Sequence, residues 1–254
     1  MTRSYARNLV ALAPAALLAA TALLLLSPSA EAQGSDAKTI LKAMSDYVGG
    51  QKTVELTFDS DIEVITPQLE KIQFASSGEM LLSRPDKLRA HRVSGHADVS
   101  LVFDGKTASV LGKSHDQWTQ IAAPGNVDQL VEALRAGHGV AMPGADLLLS
   151  NPYDVLVRNF DTDWQLWVEA GEKPFPRKMV ITSKTVNGAP QYTVRVKSWK
   201  AGFEPAPGAF AFVPPAGTEQ LAFVAALRQR ADDARTSRLG MSAVLLEHQP
   251  EVLP

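Results

Sequence analysis

From Lys52 onward the chain alternates. Val54, Leu56, Phe58, Ile62 and Val64 hold even positions while Glu55, Thr57, Asp59, Asp61 and Glu63 fill the odd ones, so a strand here has one apolar and one acidic face. "TPQLE" turns the chain, and Ile72, Phe74, Met80 and Leu82 repeat the parity. Pairing Val64 with Ile72 also matches Ile62 with Phe74, Leu56 with Met80 and Val54 with Leu82, which predicts two long antiparallel strands sharing one apolar face. Arg84 to Lys87 reads as a turn around Pro85, after which Leu88 to Val93 resumes a strand. In "SLVFDGKTASVL", Asp104-Gly105 supplies the positive backbone angles of a two-residue hairpin, and "HDQWTQI" predicts one more strand.

A period near 3.6 appears before and after this block. Ser35 or Asp36 is placed to cap a helix bearing Ile40, Leu41, Met44, Tyr47 and Val48, stopped by Gly49-Gly50. Asn126 is placed to cap a second with Val127, Leu130, Val131 and Leu134, ended by Gly137 and Gly139; Asn151-Pro152 opens a third around Val155 and Leu156. Strands return as "WQLWVEA", "RKMVITSK" and "QYTVRVKSW", the last two joined at Asn187-Gly188. Strands, helices and strands in that order predict an α+β fold: one curved antiparallel sheet whose concave face is covered by helices. "EPAPGAFAFVPPAG" then reads as a loop with a short extended FAF piece, and Leu221 to Arg230 as a possible helix in an otherwise frayed tail.

Composition changes the picture at the N-terminus. Arg3 and Arg7 precede an apolar run from Leu9 to Leu26 that Pro14 interrupts, and Ala30-Glu31-Ala32 fits a small-x-small cleavage site, so residues 1–32 read as a secretory signal peptide. An uncleaved membrane anchor is the rival reading, and no later stretch is apolar for long enough to span a bilayer. The expected organisation is a signal peptide over 1–32, one domain over 33–217 and a tail over 218–254. The 254 residues, 45% hydrophobic and 20% charged, suffice for one sizeable core. Taking Arg3 and Arg7 from 25 basic residues and Glu31 from 27 acidic ones leaves 23 against 26, a net charge of −3. That balance favours neither nucleic acid nor an anionic membrane. Zero cysteines exclude disulfides, thiolate metal sites, cysteine nucleophiles and lipid attachment through an N-terminal cysteine.

Motifs with chemistry are scarce. His91, His96 and Asp98 flank one turn but lack a third and fourth ligand, so solvated turn histidines are the favoured reading. His115-Asp116 cannot act as a dyad on a strand, because neighbours point to opposite faces. The acidic stripe Glu55, Asp59, Asp61 and Glu63 offers paired carboxylates or a calcium site, against the simpler reading of a solvated face. No G-x-S-x-G, H-E-x-x-H, Walker or dinucleotide fingerprint occurs, so an enzyme is not expected and no cofactor is implied. Trp164 and Trp167 fall on opposite faces of one strand, Trp164 with Leu166 and Val168, so one is expected in the core and the other under a helix or partner. Arg84, Lys87, Arg89 and Arg92 make a basic cluster near a strand edge, read first as edge protection and second as a surface for an acidic partner or phospholipid head group.

Several pieces together, "ILKAMSDYVGGQKTVELTFD", "SSGEMLLSRPDKLRA", "LVFDGKTASVL", "DWQLWVEAGEKPFPRKMVITSK" and "FAFVPPAG", resemble the predicted periplasmic family catalogued as domain of unknown function 2092. The resemblance runs from about Ile40 to Gly217 and implies a fold near the lipoprotein carriers and receptors of the Lol type, an open half-barrel with a helical lid. It carries no catalytic residues. The sequence departs from the family pattern between "NPYDVLV" and "DWQLW", where a strand-turn-strand segment is missing. The expected function is a periplasmic, non-catalytic binding module whose apolar face, lined by Phe58, Ile62, Phe74, Met80, Leu101 and Trp164, accepts an acyl chain, lipid or lipoprotein. The alternative is an envelope interaction or scaffold protein with a filled core, and a hydrolase is the third reading.

Overall fold

The computed structural model describes residues 30–95, 97–137, 144–158 and 162–222, with side chains from residue 36 on. The signal peptide, His96, Gly139, the junction around Asp161 and the tail helix expected after Leu221 lie outside these residues or run beyond them. Two units are distinguished, Met1–Thr39 and Ile40–Pro254. The described part of the first is the opening of one helix, and every strand belongs to the second.

Among the described residues ten strands build one open sheet. In chain order they are β1 (Thr53–Ile65), β2 (Lys71–Ser83), β3 (Lys87–Ser94), β4 (Asp98–Phe103), β5 (Thr107–Gly112), β6 (Gln117–Ala122), β7 (Thr162–Val168), β8 (Pro176–Ser183), β9 (Gln191–Ala201) and β10 (Glu219–Gln220). The spatial order is β10-β6-β5-β4-β3-β2-β1-β9-β8-β7, antiparallel throughout except that β10 runs parallel to β6. The β1/β2 register joins Val64 to Ile72, Ile62 to Phe74, Leu56 to Met80 and Val54 to Leu82, as the alternation predicts. The last strand β10 and the Leu221 amide bonded to the Trp118 carbonyl carry the domain past Gly217.

Three α-helices among the described residues pack on one side of the sheet. α1 (Ala30–Gly49) begins several residues before the expected caps Ser35 and Asp36, because Ala30, Glu31 and Ala32 are themselves good helix formers. It ends at Gly49, where a side chain would strike the Ser150 carbonyl at 2.5 Å. α2 (Val127–Glu132) carries a full capping box, with the Gln129 amide donating to the Asn126 side chain and the Gln129 side chain accepting from the Asn126 amide. It continues as a π turn over Ala133–Gly137. α3 (Pro152–Leu156) starts on Asn151, whose side chain accepts from the Asp154 amide. No helix among the described residues is long and apolar enough to cross a membrane.

The core sits between these helices and one end of the sheet. Leu41, Met44 and Val48 of α1, and Val127, Leu130 and Val131 of α2, meet Val54, Leu82, Leu88, Phe103, Ala108 and Ile121 from the strands. Each fully buried side chain of this kind contributes about 1.5–3 kcal/mol. The Ser45 hydroxyl, 3% exposed, accepts the Tyr153 amide at 2.7 Å and ties α1 to α3. At the β1/β9 border Thr57 pairs with Ser198 but Phe58 pairs with Val196, leaving Lys197 as a bulge. The extra residue switches the parity of β9, so Trp199 and Ala201 on one side of the bulge and Val194 and Val196 on the other all pack toward the helices.

Two turns differ from the sequence reading. Gly105 alone takes a positive φ, +89°, and the hairpin loop is Gly105-Lys106, one residue later than expected. Asp104 instead accepts the Lys106 and Thr107 amides with its side chain, an Asx turn that spares it the left-handed conformation. The FAF piece forms no ladder. Residues 203–220 cross the outer face as an irregular strap: Thr53 exchanges hydrogen bonds with Phe203, Arg89 donates to the Ala209 carbonyl at 3.2 Å, and Phe212 packs on Trp118 with ring centroids 5.5 Å apart. Two apolar residues of the outer face, Val102 and Leu111, are each 5% exposed.

Candidate functional site

Strand alternation assigns every even position of β1, β2 and β3 to the helix side, the inner face. Along β1 this face reads Val54, Leu56, Phe58, Ser60, Ile62, Val64, and along β2 Ile72, Phe74, Ser76, Gly78, Met80, Leu82. It divides into two ends. Val54, Met80 and Leu82 belong to the closed core, with Leu56, Leu101 and Trp164 packed against it. Phe58, Ile62 and Phe74 are half-buried and lie outside that core. Of the six residues predicted to line one apolar face, the structure therefore groups Met80, Leu101 and Trp164 at the filled end and Phe58, Ile62 and Phe74 at the other. The indole N–H of Trp164 donates to the Leu156 carbonyl at 3.1 Å, which fixes the ring against α3. Trp167, on the opposite face of β7, is 43% exposed, and the Lys178 ammonium lies 4.3 Å from its ring centre.

A band of hydroxyls crosses the second end, between Phe58 and the Ile62–Phe74 row. Ser60, 2% exposed, shares a 2.8 Å hydrogen bond with Ser76 directly across the β1/β2 border and hydrogen-bonds with the Tyr192 phenol. Burial raises the Tyr192 pKa, opposed by the Ser60 hydrogen bond and by the positive charge of Arg92. Next to this band Gly78 leaves room for its neighbour: a side chain there would strike the Phe58 ring at 2.5 Å and the His91 carbonyl at 2.6 Å. Sequence reasoning missed Ser60, Ser76 and Tyr192. For the serines the signal was present, since both interrupt the apolar parity at positions that the predicted register sets opposite each other.

The four basic residues do not form one patch. Arg84 is half-buried in the β2/β3 turn, where it donates to the Leu149 carbonyl at 3.1 Å; burial lowers its pKa and the Asp128 charge opposes that. Lys87 donates to the Asp104 carbonyl and pairs with Asp86 at 3.6 Å. Arg89 points to the outer face beneath the strap. Arg92 sits on the inner face, opposite Gly78 and Val99. Nearness in sequence suggested a cluster, but alternation sends positions 89 and 92 to opposite sides.

The outer face is an ion-pair ladder. Asp59 pairs with Lys197 at 3.4 Å, Asp61 with Arg195 at 2.6 Å, Glu63 with Lys71 at 3.0 Å, and Glu55 with Lys200. The Ser77 hydroxyl, donating at 2.7 Å, and then Lys197 hold the Asp59 pKa below the usual carboxylate value against burial. His91 hydrogen-bonds with Asp98 at 2.7 Å, and Lys113 lies 3.5 Å from the same oxygen. That imidazole, assisted by Lys113, lowers the Asp98 pKa. A groove of about 500 Å³ opens here, bordered by Glu55, Glu79, Arg89, His91, Lys200 and Ala209. No group of residues suited to a metal ion occurs among the described residues.

A family model described as Predicted periplasmic protein (DUF2092) matches residues 37–162 and 153–224. The two matched segments overlap over residues 153–162. No curated protein matches the chain. In structure it is similar to an uncharacterized conserved protein from Thermus thermophilus, with TM-score 0.44 and 10% identity over 74% of this chain and 99% of that one. It is also similar to a LolA superfamily protein from Nitrosomonas europaea, with TM-score 0.34 and 10% identity over 66% of this chain and 94% of that one.

Proposed function

The chain belongs to the DUF2092 family of predicted periplasmic proteins, and on that premise we propose that it is a non-catalytic binding module for a hydrophobic ligand, an acyl chain of a lipid or lipoprotein. The observation that carries this reading is the division of the inner face. Helices fill one end, whereas Phe58, Ile62 and Phe74 are half-buried and lie outside the closed core that the described residues form. Half-buried apolar side chains beside a buried polar band are the composition of a hydrophobic ligand site with a few orienting polar groups. Hydrolysis finds little support in the same place, because the hydroxyls of Ser60, Ser76 and Tyr192 bond to one another and no histidine or carboxylate pairs with them among the described residues.

The test is to purify the protein from its native periplasm, extract it with organic solvent and analyse the extract by mass spectrometry. A co-purifying acyl compound at near-equal molar amount is the expected result. An extract without lipid, together with no uptake of a fluorescent fatty acid, would remove the reading.

One observation favours a second reading. The groove on the outer face has Glu79, Arg89 and His91 at its border, which suits an envelope interaction protein working through its charged side. Charge reversal at Arg89 and Glu79 that abolishes capture of an envelope protein, with the inner face intact, would support that alternative.

A further inference from the structure

We propose that the ligand of the inner face ends in a carboxylate and that Arg92 receives it; the inference rests on the acyl-chain reading above. Leu88 and Ala90 of β3 face the core, so the next even residue, Arg92, emerges on the same side as Phe58 and Phe74. Arg92, Gly78 and Phe58 stand in one row across β3, β2 and β1. Two strand spacings, roughly 9–10 Å, separate the outer members. The middle member has no side chain, so nothing projects from Gly78 between the guanidinium and the Phe58 ring.

The surroundings of Arg92 differ from those of four outer-face cations of the sheet. Lys71, Arg195, Lys197 and Lys200 each pair with a carboxylate of β1 on the outer face. Among the described residues no carboxylate forms an ion pair with Arg92, and its side chain donates no hydrogen bond. Its neighbours on the inner face are Gly78, Val99 and, within electrostatic reach, the Tyr192 phenol. The Ser60, Ser76 and Tyr192 hydroxyls are occupied with one another, so they make this part of the face polar without supplying a counter-charge. A single guanidinium beside an apolar surface is complementary to a monoanion carried on an apolar chain, and its planar fork matches the two oxygens of a carboxylate. From Phe58 to Ile62 the face continues for about 13 Å along β1, a path that crosses the Ser60–Ser76 pair before it reaches Ile62. A phosphate head group, with more charge, fits one cation less well.

The experiment compares decanoate, decanol and decyl phosphate by calorimetry on the full purified protein and on Arg92→Gln and Arg92→Lys. Decanoate is expected to bind wild type roughly ten- to hundredfold more tightly than decanol, the scale of one charge-assisted hydrogen-bonded contact. Arg92→Gln should erase that difference while leaving decanol affinity unchanged, and Arg92→Lys should keep part of it. Because Arg92 is exposed, decanol binding doubles as the control for folding. Equal affinity for acid and alcohol, or a preference that survives in Arg92→Gln, overturns the role of Arg92 and leaves the acyl site standing. Tighter binding of decyl phosphate overturns the choice of carboxylate, and failure of all three amphiphiles to bind wild type overturns both readings.

Discussion

Substituting Gly78 by alanine sets two effects against each other. Glycine inside a strand is entropically unfavourable, so alanine alone would stabilise by about 0.5–1 kcal/mol. The new methyl group, however, would lie 2.5 Å from the tip of the Phe58 ring and 2.6 Å from the His91 carbonyl oxygen. The ring can rotate away, but the carbonyl belongs to the β2/β3 ladder and moves only with its strand. Overpacking of this kind costs about 1–3 kcal/mol, so the steric term wins and the net loss is about 1–2 kcal/mol. With a urea m-value near ~2 kcal/mol/M for a domain of this size, the unfolding midpoint should fall by roughly 0.5–1 M at constant m. Tryptophan fluorescence follows the transition. In a Phe58→Ala background the same substitution should cost less, because one of the two clashes has gone, and the difference measures the Gly78–Phe58 coupling. A Gly78→Ala variant that is as stable as wild type, or more so, would refute the reasoning and with it the claim that Phe58 lies across Gly78.

Two more outcomes concern other parts of the molecule. The Asp98 carboxyl has its pKa lowered by His91 and Lys113, so its contribution is present above the unfolded aspartate value and is lost as pH falls below ~4; stability of Asp98→Asn measured between about pH 3 and 6 should fall less steeply toward acid than that of wild type. Phe212→Ala removes the ring that packs on Trp118 and should cost about 1–2 kcal/mol. The Glu219 and Leu221 amides, bonded to the Asp116 and Trp118 carbonyls, should then exchange hydrogen faster, whereas unchanged protection would show that the strap holds without Phe212.

Local chemistry was legible wherever one residue or one parity decided the outcome. The β1/β2 register followed from alternation alone, because slipping it by one residue would turn every apolar side chain to the acidic side. Asn126 and Asn151 announced their helices because a cap is a local hydrogen bond. What stayed hidden depends on distant partners. Nothing in "QYTVRVKSW" says that it lies beside β1, and unbroken parity from Val194 and Val196 would send Trp199 to the outer face, whereas the bulge at Lys197 turns it inward. The strap was unreadable because its contacts with Thr53, Arg89 and Trp118 come from three separate strands. Arg92 is a different case: its face was computable from Leu88 and Ala90, but grouping it with Arg84, Lys87 and Arg89 by sequence neighbourhood concealed it. Among the six apolar candidates, parity gave the common face, but only the positions of α1 and α2 separate the filled end from Phe58, Ile62 and Phe74.

Isoleucine methyl NMR during titration with decanoate tests the acyl-site claim at the place it names. Ile62 belongs to the half-buried end of the inner face, while Ile121 is 9% exposed in the closed core. The account predicts a saturable shift of the Ile62 methyl signal with Ile121 unmoved; an Ile62 signal that stays in place at saturating decanoate, or shifts spread evenly over both residues, would contradict it.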